Sequence, residues 1–345
     1  MNQNLDPEAI LNMFAKNVDV SGYAGPIPAS LLARQDLESE IIKLTNRNTP
    51  LRDIIPRIRG EGRAHLWNQR IALGGLPNRN NPIELFYLDG ALPTQSNPTY
   101  VQKTAAYTYL GVTGVITGPM IASGRSFADI EAEVAEAKLR EIIQGEEWCI
   151  FNGDSTALNS TGAAGFDGLS VQIKTNVVDR TGGTLTAAGV AIKELDRIVK
   201  LVRLQGAQPT HIFCSFGMQS QINQIQGAQA RYIQQDGTTV TSGINAVNYQ
   251  SPAGSLPIVG DFFINPASPY PTNVVGSSGP EGQAVSDIYL LQVPELEMAD
   301  LMPVGRTELA KVADTVRFYI SEYTVLAVKA EPWQGKIINV SDPTS

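Results

Sequence analysis

From Met1 to Arg125 the sequence holds no segment that can hide its own apolar side, and this constrains the fold more than any other feature. Pro26, Pro28, Pro50 and Pro56 break residues 1–65 into short pieces, because proline lacks an amide donor and cannot sit inside a continuing helix. Two pieces carry helical spacing. Asp6–Lys16 sets Ala9, Ile10, Met13 and Phe14 on one side, and Leu31–Leu44 spaces Leu32, Leu37, Ile41 and Leu44 among charges. Helices this short are marginal alone in water, so each must lie against something else. Residues 1–65 are expected to form an arm. Residues 66–125 repeat the problem with strands. Gly74-Gly75, Pro77-Asn78, Asn81-Pro82, Asp89-Gly90 and Asn97-Pro98 are turn chemistry. Ile83–Leu88 and Thr99–Val115 alternate as half-exposed strands. This predicts an extended β-ribbon loop, and a two-stranded ribbon needs a neighbour to be stable.

A long helix comes next, over residues 126–151. Ser126 is a suitable N-cap, and Asp129 stands at the capping-box offset. Asp129, Glu131, Glu133 and Glu136 load the first half with negative charge, and Lys138 and Arg140 come later, as the helix dipole favours. Ile130, Val134, Ala137, Leu139, Ile142 and Ile143 form the apolar stripe. Roughly 25 residues give a rod of about 37 Å, ended by the turn Asn152-Gly153-Asp154. Residues 152–184 read as a loop with one anchored piece, Gly165-Phe166-Asp167-Gly168-Leu169. Residues 185–300 read as an α/β domain. Its first helix runs from a Thr186 cap to Leu204, with Gly206 just past the end. A second helix, to about Gln226, starts at Ser215. Strands are expected at His211–Cys214, Leu256–Val259, Phe262–Ile264 and Ile288–Val293. From residue 301 the chain returns to strand, with Val316, Phe318 and Ile320 alternating with Arg317, Tyr319 and Ser321.

Composition excludes several classes. Lys and Arg number 26 against 34 Asp and Glu, a net charge of −8, which does not suit a protein built to read nucleic-acid grooves. Hydrophobic residues are 43% of the chain, too many for an extended disordered protein. Charged residues are only 17%, against roughly 25% in ordinary soluble domains, so less surface is committed to water. Two cysteines, Cys149 and Cys214, cannot staple a secreted domain, and with two histidines, His65 and His211, they do not make a zinc set. The start carries no signal peptide, and no window reaches the roughly 18 apolar residues of a membrane span. The expectation is a soluble chain in a reducing compartment, without membrane contact.

Catalytic patterns are also missing. Gly60-Glu61-Gly62 and Gly162-Ala163-Ala164-Gly165 lack the Lys-Ser/Thr of a phosphate loop and do not open a helix after a strand. His211 and Cys214 lie three apart in a strand and face opposite sides. No catalytic residue, cofactor site or metal site is expected. Charge placement is more informative. Arg47, Arg52, Arg57, Arg59, Arg63 and Arg70 stand in one window against Asp53 and Glu61 alone. The window suits contact with an acidic helix face such as Asp129, Glu131, Glu133 and Glu136 on a neighbouring copy, contact with a polyanion, or an ordinary charged surface. An isopeptide link between subunits would need a lysine such as Lys103 in the ribbon, with an asparagine and a buried glutamate, and spacing selects no such trio.

The order of these parts resembles the major capsid proteins of tailed bacteriophages, the Hong Kong 97-type shell fold. Three segments carry the likeness: Thr49–Pro56 before the ribbon, Phe127–Asp154 as the spine helix and its turn, and Glu308–Asp314 with Glu322–Leu326 near the end. The resemblance implies an α+β fold. Its parts would be an N-terminal arm (1–65), an extended β-ribbon loop (66–125), a peripheral domain with the spine helix (126–184 and 301–345) and an axial domain (185–300). It implies a structural subunit that assembles with itself into hexamers and pentamers of an icosahedral shell around double-stranded DNA. Portal, scaffolding and decoration proteins would be partners, in the virion after assembly in host cytoplasm. No long charged helical segment precedes the arm, so a separate scaffolding protein is expected. Two other readings are a bacterial nanocompartment shell, usually a shorter chain, and a soluble α/β enzyme with its site in 185–300.

Overall fold

In a computed structural model of the chain, residues 43, 45–73, 86–93, 95–124, 129–184, 190–229, 248–264, 284–311 and 313–342 are described. All of these except residue 43 belong to the second of the chain's two compact units, Thr45–Ser345. The expected arm helices Asp6–Lys16 and Leu31–Leu44, the turns between residues 74 and 82, and the caps Ser126 and Thr186 lie outside the described residues.

The elements in chain order are α1 (Pro50–Ile54), β1 (Arg57–Arg59), β2 (Ala64–Ala72), β3 (Thr99–Ala106), β4 (Thr108–Thr117), α2 (Gly118–Gly124) and α3 (Ile130–Asn152). Then come α4 (Leu169–Gln172), β5 (Val177–Thr184), α5 (Val190–Leu204), β6 (His211–Cys214), α6 (Phe216–Gln229), β7 (Asn248–Ser251) and β8 (Gly254–Gly260). The last strands are β9 (Ala284–Leu291), β10 (Leu296–Glu308), β11 (Thr315–Val328) and β12 (Gly335–Asp342). Helices and mixed sheets make the expected α+β fold.

Three sheets form. One is four-stranded, ordered β1-β10-β11-β4, another is six-stranded, ordered β5-β12-β9-β6-β8-β7, and β2 and β3 pair by themselves. The expected single run Thr99–Val115 is divided at Tyr107. Before it, β3 pairs with β2, from Ala64 opposite Ala106 to Ala72 opposite Thr99. After it, β4 pairs antiparallel with β11. Tyr107 is buried, which fixes the point where the chain leaves the ribbon for the body. Phe86, Tyr87 and Leu88, the described part of the expected strand Ile83–Leu88, are not in a strand.

Helix α3 is 23 residues long, and its N-cap is Asp129, whose carboxylate accepts from the amides of Glu131 and Ala132. Its two halves bury differently. In the first half Ile130, Val134 and Leu139 pack partly buried on Ile116, Phe318 and Ile320 of the four-stranded sheet, and Ile142 is buried there. Ala137, expected inward, is exposed. In the second half Ile150 and Phe151 enter the largest core with Phe213 and Tyr289 of the six-stranded sheet and Leu296, Met298 and Val325 of the other. Burying a side chain of this size stabilises by about 1.5–3 kcal/mol. The end of α3 is therefore the bolt between the sheets.

The turn after the bolt explains two glycines. A Cβ on Gly153 would lie 2.4 Å from the Phe166 carbonyl oxygen, and one on Gly168 2.5 Å from that of Cys149. The Gly168 amide donates to the Gly153 carbonyl at 2.9 Å. Backbones this close admit only glycine. Phe166 and Leu169 are thereby anchored in the core, as expected. Residues 177–184 are strand β5 and not loop, because β12 pairs with them in parallel.

The six-stranded sheet alternates cleanly. Ile212 and Cys214 face α5 and α6, through Leu195, Ile198, Val199, Val202, Met218 and Ile222. Phe213 faces the core around α3, and His211 lies beside it, with ring centres 6.0 Å apart. Cys214 is buried and Cys149 half-buried. Gly206, at φ +87°, ends α5 in the left-handed conformation. Phe262–Ile264, an expected strand, is not one. The closing strand β12 joins this sheet, where β10 and β11 join the other. Among the described residues no helix is long and apolar enough to cross a membrane.

Candidate functional site

Two features stand out: a buried charged joint at the foot of α3, and the apolar surface of the ribbon. The joint begins with Glu146 and Glu147, side by side among Ile142, Ile150 and Phe151. A buried carboxylate must be paired or must hold a proton. Glu146 takes the first course. It receives the side chains of Arg52 and Arg57, and Arg57 also reaches Asp300 at 3.1 Å and Glu322 at 2.8 Å. One guanidinium thus joins β1, α3, β10 and β11. Burial alone would lower the Arg57 pKa, and the charges of Glu146, Asp300 and Glu322 overcome this and raise it.

Glu147 takes both courses. Its carboxyl oxygens accept from the amides of Leu51 at 2.9 Å and Arg52 at 2.7 Å. These are first-turn amides of α1, which Thr49 does not cap with its side chain. Burial, and then the neighbouring Asp261 charge, push Glu147 well above the usual carboxylate range. Burial raises Asp261 as well. Residues 47–59 are consequently welded to the body. Leu51 and Ile55 are core residues, Arg47 stacks over Phe262 at 4.8 Å, and β1 runs parallel to β10. That portion of the expected arm is an integral part of the subunit.

Glu322 adds to the pH dependence that the raised Glu147 and Asp261 carboxyls bring. Burial, then the Glu146 charge, push Glu322 from 4.5 up to about 7, against the pull of Arg57. Its Oε1 accepts from Arg57, and its buried Oε2 has no hydrogen-bond partner among the described residues. The folded chain holds the Glu322 proton to a higher pH than the unfolded chain does. That contribution to stability is complete below about 4.5 and is lost as pH rises through about 7. The melting temperature of the native chain is expected to fall by a few degrees between about pH 6 and pH 8.5. Glu322→Gln should reduce that dependence, and an unchanged slope in the variant would assign it elsewhere.

The expected contact residues are dispersed. Arg52 and Arg57 find their acids on their own chain, in the second half of α3 and not on its acidic first half. Arg59, Arg63 and Arg70 are exposed, as is Lys103, opposite Trp67 in the ribbon. Asp129 caps α3. Glu131 pairs with Arg306 of β10 in the same subunit, and Glu133 and Glu136 are half-buried on the same helix. The parity that places Phe318 and Ile320 inward also places Glu322 inward, and Glu146 and Glu147 interrupt an apolar run, so both were readable as buried acids. Asp261 and Asp300 carry no such signal. Among the described residues no group of three metal-binding side chains forms. Where three carboxylates do converge, the Arg57 guanidinium occupies the position of a cation.

The ribbon is fastened at its foot. Gln69 donates its side-chain amide to the Lys329 carbonyl, and His65 faces Glu297 at 3.6 Å. Beyond that foot it carries Leu66, Ile71, Leu73 and Tyr100, all more than half exposed. In the loop between β2 and β3, Phe86 and Leu88 are 82% exposed and Leu92 93%. Large apolar side chains left in water along one ribbon and its loop point to an interaction surface.

Comparison with known proteins agrees with this geometry. A protein of Enterococcus phage phiEF24C with a provisional major-capsid-protein name is 28% identical over 172 residues, which is 48% of this chain and 35% of that protein. The chain thus spans about a third of that relative's length. The capsid of a native GTA particle superposes with a TM-score of 0.64 at 13% identity, over 91% of this chain and 98% of that one. Mycobacterium phage Ogopogo gives 0.61 at 12%, over 91% and 99%. The holo-SrpI encapsulin complex of Synechococcus elongatus PCC 7942 gives 0.60 at 11%, over 93% and 97%. At such identities the likeness concerns the fold alone. The family described as SU10 major capsid protein matches residues 17–341, nearly the whole chain, and on that span, with the Hong Kong 97-type fold beneath it, the chain belongs to this major capsid protein family.

Proposed function

We propose that the chain is the repeating structural subunit of a tailed-phage head, closing with copies of itself as hexamers and pentamers around double-stranded DNA. One observation carries the reading: a ribbon that leaves the body with large apolar side chains exposed along it. Copies laid side by side would bury that surface, and closed symmetry repeats one such contact until none is left open. A structural role fits a family of capsid proteins better than catalysis does. With the family match running through residues 185–300, nothing favours the enzyme reading there. The nanocompartment reading shares the fold through the encapsulin likeness and gains nothing beyond it. Within the reading, Arg59, Arg63, Arg70 and Lys103 remain surface groups for contacts between copies. A scaffolding protein, a portal and decoration proteins would be partners at the shell, in the host cytoplasm before the virion is complete.

Light scattering with electron microscopy of the expressed chain tests the reading. Closed shells or related large assemblies are expected, and nucleic acid inside them would separate a phage head from a cargo compartment. A species of a few subunits that persists at high concentration would overturn it.

A further inference from the structure

Helix α5 carries a concentration of positive charge that neither the core nor the ribbon uses. Lys193, Arg197, Lys200 and Arg203 line one open groove of about 610 Å³ together with Leu204 and Pro252, and Asp196 is the carboxylate among its lining residues. All four cationic residues are exposed. The Asp196 carboxylate is already held, accepting from the Tyr249 hydroxyl at 2.6 Å. Glu194, the nearest other acid on the helix, lies 3.5 Å from Arg180 and 3.7 Å from Arg197. In a chain of net charge −8, four cations within eleven residues form a local field opposite in sign to the whole.

We propose that this groove binds the phosphate backbone of double-stranded nucleic acid, by charge and without reading sequence. The lining favours phosphate over a protein partner. Centres of protein interfaces are enriched in aromatic residues and arginine and poor in lysine; the two arginines here suit either partner, and two lysines with no aromatic side chain suit phosphate. Lysine and arginine are the usual donors to phosphate oxygens. From Lys193 to Arg203 the helix rises about 15 Å, along which one strand of a duplex places about four phosphates at roughly 3.4 Å each. Such contact is weak and salt-sensitive, which suits a surface that must hold and release a polyanion.

The inference rests on the shell reading only for the source of the duplex, since binding is measured on the chain itself. A fluorescent duplex of about 24 base pairs is titrated with the full chain over a salt series, read by anisotropy, with log K expected to fall at a slope of about −3. Lys193→Gln/Lys200→Gln should bind at least tenfold more weakly at low salt, with the slope reduced by about 2. Lys138→Gln/Lys311→Gln, with the same change of net charge on lysines elsewhere, should keep the native slope. No duplex binding by the native chain, or equal loss in both variants, would overturn the proposal. Lost self-association in the Lys193/Lys200 variant with duplex binding intact would also overturn it, and would make the groove a contact between copies. All of these results leave the microscopy of shells formed by the native chain unaffected.

Discussion

An Arg57→Ala chain is expected to lose about 3–5 kcal/mol of stability, because removing one partner leaves buried charges without compensation. Among the described residues, Arg57 is the cation in contact with Glu146, Asp300 and Glu322 together. Glu146 and Glu322 side chains are fully buried, so water cannot replace the guanidinium. Chemical denaturation followed by tryptophan fluorescence measures the loss, and a change under about 1 kcal/mol would mean the cluster relaxes without it. Read from charge alone, reversing Arg57 and Arg59 together weakens assembly and leaves the subunit folded. The structure separates the two. Arg57→Glu places a fourth carboxylate in the joint and should prevent folding, and Arg59→Glu, exposed at the end of β1, is the variant expected to report on contacts between copies. Arg57→Lys should recover only part of the stability, since an ammonium lacks the planar fork that reaches several carboxylates at once.

Phe86→Ser/Leu88→Ser/Leu92→Ser should have the opposite profile: an unchanged melting temperature of the subunit and at least a tenfold lower yield of particles. The three side chains are more than four-fifths exposed, so their removal costs the isolated fold little, whereas each apolar side chain buried against a neighbour contributes about 1.5–3 kcal/mol. Sedimentation or light scattering of matched preparations reads the yield. Normal particle formation would place the contact surface elsewhere, and a lowered melting temperature would show that the loop packs on its own subunit. Arg57 is therefore expected to complete one subunit and the loop to complete the shell.

Much of the local structure was legible. Helix α3 came from its apolar period and acidic start, the α5–β6–α6 order from caps and a four-residue apolar strand, and β11 from alternation. These signals act within a few residues, through backbone propensity and side-chain direction, and need no partner. Cys214 and His211 on opposite strand faces come from the same period of two. Even the glycines around Asn152-Gly153-Asp154 and Gly165-Phe166-Asp167-Gly168-Leu169 were visible as a turn and as an anchored piece of loop, though not as two backbones in contact.

What tertiary structure decided is how distant pieces share sheets and charges. Thr99–Val115 is one alternating run, yet Tyr107 sends its halves to different sheets, because β11 offers β4 a long edge that the ribbon cannot. Residues 50–59 look like an arm until Glu147 caps α1 and Glu146 collects Arg52 and Arg57, partners about ninety residues away in the chain. Burial turns these contacts from optional surface pairs into requirements, since a charge removed from water must find its counterion wherever the fold has put one. The sequence alone determined most of the segments that are helix or strand and that some of them are incomplete by themselves. Only the folded chain decided which of those needs are met inside one subunit and which are left for another copy.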